Sequence, residues 1–398
     1  MFLGSVMGFE GIAELPLHDG HVPGWLMKIM LRLARAILFI MVEEYGPDKV
    51  VERFANPLWF QAFNNVIGMD WDSSGSTTVT TGVLKSVTWK NSELGFLVLG
   101  GKGDRAKRVP EEVPLAVDLL GLDKPVDYYV KVSRLIAKID SAMLQDGYTL
   151  YHHTLFLSNS GKWCIVQQGM NPVNKLARRY HWLETNNYYN DPHKAVSGYR
   201  ENLVINMIAS ESRGLRKTLL DLARERPTSI LNEYSKLYSL LKKQRLLEDY
   251  ILPTKTGLAI TDQREKITIY KPLPLPNELL AKLRRIYEYN PDNLDELLLI
   301  RGVGPKTLRA LALISDLVYN EPPSHRDPVN TPYDPFKYSY AIGGKDGIPY
   351  PVDRRVAEEV IYTLEDIIHR ARIGEKEKIR ALKNLSRIKF RIIGKYLK

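Results

Sequence analysis

Tyr148-Thr-Leu-Tyr-His-His-Thr-Leu-Phe-Leu157, Ser158-Asn-Ser-Gly161 and Lys162-Trp-Cys-Ile-Val-Gln-Gln168 are the consecutive segments on which the fold reading turns. Two runs rich in β-branched and aromatic residues, separated by a short Ser, Asn and Gly connection, predict an antiparallel hairpin. Upstream, Asp127–Gln145 has helical periodicity and stops at Gly147, while Trp25–Tyr45 and Trp59–Gly68 read as helices. Thr77–Trp89 reads as one or two strands because of its Thr and Val, and Gly100-Gly-Lys-Gly103 as a flexible basic loop. Downstream the pattern turns helical, at Asn174–Glu184, Glu201–Ala223, Ser229–Leu247, Asn277–Tyr289 and Leu294–Tyr319. A short strand is expected at Glu265–Tyr270, before the Pro-rich link Lys271–Pro276, and a long loop at Pro322–Pro351. The expectation is an α+β chain. It would have a mixed module over residues 7–190, a helical linker region over 191–270, and a mainly helical region over 271–398.

Composition narrows the classes. The chain has 398 residues, 44% hydrophobic and 26% charged, which is ordinary for a globular protein. The single cysteine, Cys164, excludes an intrachain disulfide framework and any multi-cysteine zinc site. The apolar run Trp25–Val42 contains Lys28, Arg32 and Arg35, which argues against a membrane span. Met1–Met7 lacks the pattern of a secretory signal, so a cytoplasmic location is expected. The net charge is +10, and Arg370–Lys398 alone carries eleven Lys and Arg against two Glu. A basic segment on a nearly neutral body is the footprint of a polyanion partner. No Walker loop, dinucleotide fingerprint or serine elbow is present, so no nucleotide or organic cofactor is expected.

Leu298-Leu-Ile-Arg301-Gly302-Val303-Gly304-Pro305-Lys306-Thr307-Leu308 places a glycine bend between two helices, the second opened by proline. Bare backbone N–H groups at such a bend, next to a helix N-terminus, suit a phosphate oxygen. Arg301, Lys306 and Arg309 add direct charge. The segment resembles the helix-hairpin-helix of DNA repair proteins, which grips the backbone without reading sequence. Ile348-Pro-Tyr-Pro-Val-Asp353-Arg-Arg-Val resembles the segment that follows this hairpin in helix-hairpin-helix DNA glycosylases. That resemblance implies a catalytic role for Asp353 and, in bifunctional members, a Schiff-base lysine at Lys306. Asp353 read alone is equally the N-cap of a following helix.

Ala13-Glu-Leu-Pro-Leu-His-Asp-Gly-His-Val-Pro-Gly-Trp-Leu26, Trp71-Asp-Ser-Ser-Gly-Ser-Thr-Thr78, Gln145-Asp-Gly-Tyr-Thr-Leu-Tyr-His-His-Thr154, Val166-Gln-Gln-Gly-Met-Asn171, Ala177-Arg-Arg-Tyr-His-Trp182 and Gly343-Gly-Lys-Asp-Gly347 carry a broader resemblance. They are similar to a prokaryotic family catalogued only as a domain of unknown function, number seven-six-three in that series. The similarity runs nearly the whole chain from Met7, and a nuclease role is what it implies.

Read as residues, Asp70 and Asp72 flank Trp71 before a short loop and could share a divalent cation, Mg or Mn. A solvated strand end explains the pair as well. Asp146 with His153 could orient water or act as a general base, although a histidine satisfied inside a sheet is the common case. Arg134 and Lys138 lie along one helix face, and Arg178 and Arg179 form a basic stripe with His181 and Trp182. The leading expectation is a structure-selective, metal-dependent DNA nuclease of repair or recombination, cutting with Asp70, Asp72, Asp146 and His153. Its partners would be DNA with single-stranded or branched regions and a helicase or repair protein. The alternatives are a glycosylase or abasic-site lyase using Asp353 and Lys306, and a non-catalytic DNA-binding adaptor.

Overall fold

The computed structural model describes residues 22–69, 74–242, 267–329 and 354–393. Three helices come first: α1 (Gly24–Phe54), α2 (Pro57–Ile67) and α3 (Ser74–Lys90). There follow β1 (Phe96–Lys102), α4 (Val109–Leu120), α5 (Val126–Lys138), β2 (Leu144–Gln145), β3 (Thr149–Ser158), β4 (Trp163–Asn171), β5 (Leu176–Leu183), β6 (Ala195–Ser197) and β7 (Ile205–Asn206). The remainder is helical: α6 (Arg213–Arg224), α7 (Pro227–Lys242), α8 (Pro276–Tyr289), α9 (Leu294–Leu299), α10 (Pro305–Tyr319), α11 (Arg354–Arg370) and α12 (Glu375–Ile393). The α+β class holds, with the sheet in the first half and helices dominating the second.

The sheet is antiparallel in the order β1-β3-β4-β5-β6, and β2 pairs separately with β7. The predicted hairpin is its centre, with Leu157 opposite Trp163 and His153 opposite Gln167. Alternation sends Leu97, Leu99, Leu155, Leu157, Ile165, Tyr180 and Trp182 into one core, which α4–α10 complete. Phe96, Val98, Phe156, Cys164 and Val166 enter a second core with α1–α3, and α11 and α12 close it through Leu364, Ile367, Ile368, Ala381 and Leu385. Both faces of the sheet are therefore covered, so its central strands are buried over most of their length. That burial explains why several polar residues sit inside.

Several expectations are corrected. Thr77–Trp89 is helix, not strand. Thr77, Thr80, Thr81, Leu84 and Thr88 recur at helical spacing on its buried face. The Thr81 hydroxyl satisfies itself on the Thr77 carbonyl one turn back, at 2.8 Å. Asn174–Glu184 is not a helix but the strand β5, buried on both sides between β4 and β6. Gly100–Gly103 is no loose loop: β1 runs through Lys102. Gly100 lies at φ +88°, and a Cβ there would come within 2.3 Å of the His153 carbonyl oxygen, so only glycine permits this strand pairing. Only Arg213–Arg224 of the helix expected over Glu201–Ala223 forms, and residues 267–269 are helical rather than extended. The Asp127–Gln145 helix ends as a π-turn, Ile139–Met143, and passes into β2. Residues 322–329 of the long loop are described; the rest of it, Asp70, Asp72 and Asp353 lie outside the described residues.

Candidate nucleic-acid interface

The bend expected at Gly302 is built from α9, the turn 300–304 and α10. Asn293 caps α9, its side chain accepting from the Glu296 amide at 3.0 Å. Gly302 has φ +99°, the left-handed region that the turn requires. Gly304 is extended at φ −144° and has open space where a side chain would go. Val303 is buried and plugs the turn into the larger core. No side chain caps the first turn of α10, whose leading amides lack intrahelical partners.

Basic side chains hold the turn by its carbonyls. Lys138 Nζ donates to the Val303 carbonyl at 2.6 Å, and Arg285 donates to that of Arg301 at 2.8 Å. Gln145 donates to the Pro305 carbonyl at 3.0 Å while accepting from Arg309 Nε at 2.5 Å. Burial pushes the Lys138 ammonium and the Arg309 guanidinium below their ordinary pKa values. Arg301, Gly302, Pro305 and Lys306 remain exposed. Arg134, one turn before Lys138 on α5, is also exposed, whereas Thr307 is buried. Lys138, distant in sequence, thus contacts the bend, with Arg134 one helical turn behind it. The carbonyls of Arg301, Val303 and Pro305 are held by side chains, and the exposed Arg301 and Lys306 put positive charge on the solvent side.

The other expected site residues are placed differently. Arg178 and Arg179 are fully buried and do not form a phosphate-lined surface. Arg178 bridges Asp146 at 2.7 Å and Asp327 at 2.6 Å, and Asp146 also accepts from the Tyr180 hydroxyl at 2.7 Å and the Tyr148 amide at 3.1 Å. Burial raises the Asp146 carboxyl pKa, with the Arg178 charge opposing. A carboxylate so occupied is a structural anion and has no free lone pair directed at solvent. On the opposite face Arg179 donates to Thr77 at 2.8 Å and Gln61 at 3.2 Å, beside Gln168, which bonds Thr77 and Tyr151.

His153 is also interior. Its Nδ1 donates to Gln167 Oε1 at 2.8 Å, because an amide oxygen only accepts, and its Nε2 lies 2.8 Å from the Ser133 hydroxyl. Burial lowers its pKa, which keeps it neutral. Gln167 then donates to Asp140, which is fully buried and also accepts from Trp182 Nε1 at 2.8 Å and His193 Nε2 at 2.6 Å. Among the described residues no group of three or more His, Cys, Asp or Glu is arranged to hold a metal ion.

His193 leads to something the sequence reading passed over. A cavity of about 640 Å³ opens between residues 191–202 and residues 325–329, lined by His193 and His325. Asp327 fixes its far wall, accepting from Arg178 and from the amides of Glu201 and Val329, both at 2.8 Å. The available signal was two solitary histidines in proline-containing irregular segments, Asp191-Pro-His193 and Ser324-His-Arg-Asp-Pro328. Neither segment has a periodicity that a strand or helix template would detect.

No helix among the described residues is long and apolar enough to cross a membrane. No curated protein and no solved structure is significantly similar to this chain. A family described as a protein of unknown function, DUF763, matches residues 11–352. With most of its length covered by that match, the chain belongs to the DUF763 family.

Proposed function

We propose that the protein grips the sugar–phosphate backbone of DNA at the 300–306 turn and, with its N-terminal module cutting nearby, is a structure-selective nuclease of repair or recombination. One observation carries the reading: an exposed glycine bend ahead of an uncapped helix start, its carbonyls held by Lys138 and Arg285 and its rim carrying Arg301 and Lys306. A phosphate oxygen at the bend would accept from backbone amides and meet the helix dipole, with side-chain cations adding affinity without base readout. The basic α12 would extend the contact along the duplex.

Of the four residues first expected to cut, Asp146 and His153 are held in saturated interior contacts. Metal-assisted cutting with Mg or Mn therefore rests on Asp70 and Asp72. The same interior placement favours a second reading, an adaptor that binds DNA and leaves cutting to a partner. Incubating the full chain with labelled bubble, flap and single-stranded DNA, with Mn²⁺ or with chelator, separates the two. Metal-dependent nicking is expected, and binding without nicking under every condition would leave the adaptor.

A further inference from the structure

We propose that the cavity between residues 191–202 and 325–329 is an acid–base site for phosphodiester hydrolysis, with His193 as general base and His325 as general acid. The identity of the macromolecule rests on the DNA-binding reading above; the chemistry of the cavity does not, and it is a second activity, separate from metal-assisted cutting at Asp70 and Asp72, that persists in chelator.

Each histidine has one ring nitrogen anchored and one without a partner among the described residues. His193 Nε2 bonds Asp140 Oδ1 at 2.6 Å, and its ring packs 4.5 Å from that of Trp182. His325 Nδ1 lies 2.8 Å from the Val204 carbonyl, which only accepts, so that nitrogen carries the proton. No described residue bonds His193 Nδ1 or His325 Nε2, and both residues line the one cavity. Asp140 supplies the second half of the argument. It is a fully buried carboxylate that pairs with no lysine or arginine among the described residues, and His193 is the one ionisable side chain among them that hydrogen-bonds it. A carboxylate in that position fixes the tautomer with Nδ1 unprotonated and stabilises the imidazolium formed when Nδ1 takes a proton.

The lining carries charges of both signs, and an anion would be held at its one arginine that makes no ion pair with a described residue. Asp327 is paired with Arg178, Asp191 with Arg326 at 2.8 Å, and Glu201 accepts from the Tyr148 hydroxyl at 2.9 Å. Arg200 makes no ion pair with a described residue and only donates to the Val329 carbonyl at 3.0 Å. It is the cation left for a phosphate. The cavity also shares a support with the bend: Lys138 touches the turn, and Asp140, two residues on, faces the sheet.

In the step, water attacks phosphorus as its proton passes to His193 Nδ1. The new P–O bond forms, the bond to the leaving oxygen breaks, and protonated His325 delivers its Nε2 proton to that oxygen. The two histidines then exchange their protons with solvent, and no other reactant is consumed.

The test uses the full chain with bis(4-nitrophenyl) phosphate, which needs no grip by the hairpin, and with labelled DNA and RNA of one sequence. His193→Ala should lower hydrolysis of the aryl diester about 100-fold, and added imidazole should restore at least about tenfold of it. His325→Gln should cost about 100-fold on polynucleotides but much less on the aryl diester, whose nitrophenolate leaves without a proton. The polynucleotide arms identify DNA or RNA as the source of the diester. Parent inactivity on all three substrates, an unimpaired His193→Ala, or no imidazole rescue would overturn the proposal. A failure of the hairpin reading shows separately, as unchanged oligonucleotide binding in folded bend variants.

Discussion

At the scale of single residues, the interior histidines make stability depend on pH in a definite direction. Burial, with His153 and Arg179 nearby, pushes His152 down to about 3, and burial takes His181 well below its ordinary value. His153 is lowered as well. The unfolded chain therefore protonates first as pH falls, and the stability present above about 6.5 is lost progressively toward 3. Each such histidine removes up to about 1.4 kcal/mol per pH unit within that window. The melting temperature should fall steeply between pH 7 and pH 5, and a flat profile would contradict neutral interior imidazoles. The Arg178 bridge gives a second prediction. Arg178→Met would strand Asp146 and Asp327 without their cation, costing about 3–5 kcal/mol in urea denaturation. Asp146→Asn should likewise appear first as lost stability. A catalytic carboxylate would instead lose activity with stability intact.

At the scale of elements, the hairpin and the glycine bend were legible because local chemistry decides them: turn residues between alternating runs, and glycine ahead of a proline-initiated helix. The strand β5 and helix α3 were not. Their identity is set by what packs against them, since Arg178 and Arg179 read as solvent-facing until both sheet faces prove to be covered. The threonines of α3 carry a strand-like composition on a helical period. For the candidate site, the Arg134, Lys138 and hairpin residues were named from sequence, whereas the Asp140–His193 pair depends on tertiary contact between separate segments. The two glycines of the bend should also separate. Gly302→Ala should destabilise by about 1 kcal/mol because of its positive φ. Gly304→Ala meets open space and should leave stability within about 0.5 kcal/mol, read by thermal unfolding of both variants.

At the scale of the whole molecule, one sheet serves two cores, and the second is completed by the C-terminal helices. Leu385, fully buried in that core, should cost about 2–4 kcal/mol when changed to Ala, and the loss should appear as faster proteolysis of α1–α3. The central claim is that amides and cations of the 300–306 turn hold a phosphate backbone. Its most direct test is a salt titration of labelled duplex binding by fluorescence anisotropy, comparing the parent with Gly304→Val and with the pair Arg301→Ala and Lys306→Ala. The account predicts at least about tenfold weaker binding for Gly304→Val and, for the charge pair, a log–log salt slope shallower by about 2. Equal affinity and equal slope in folded variants would contradict it.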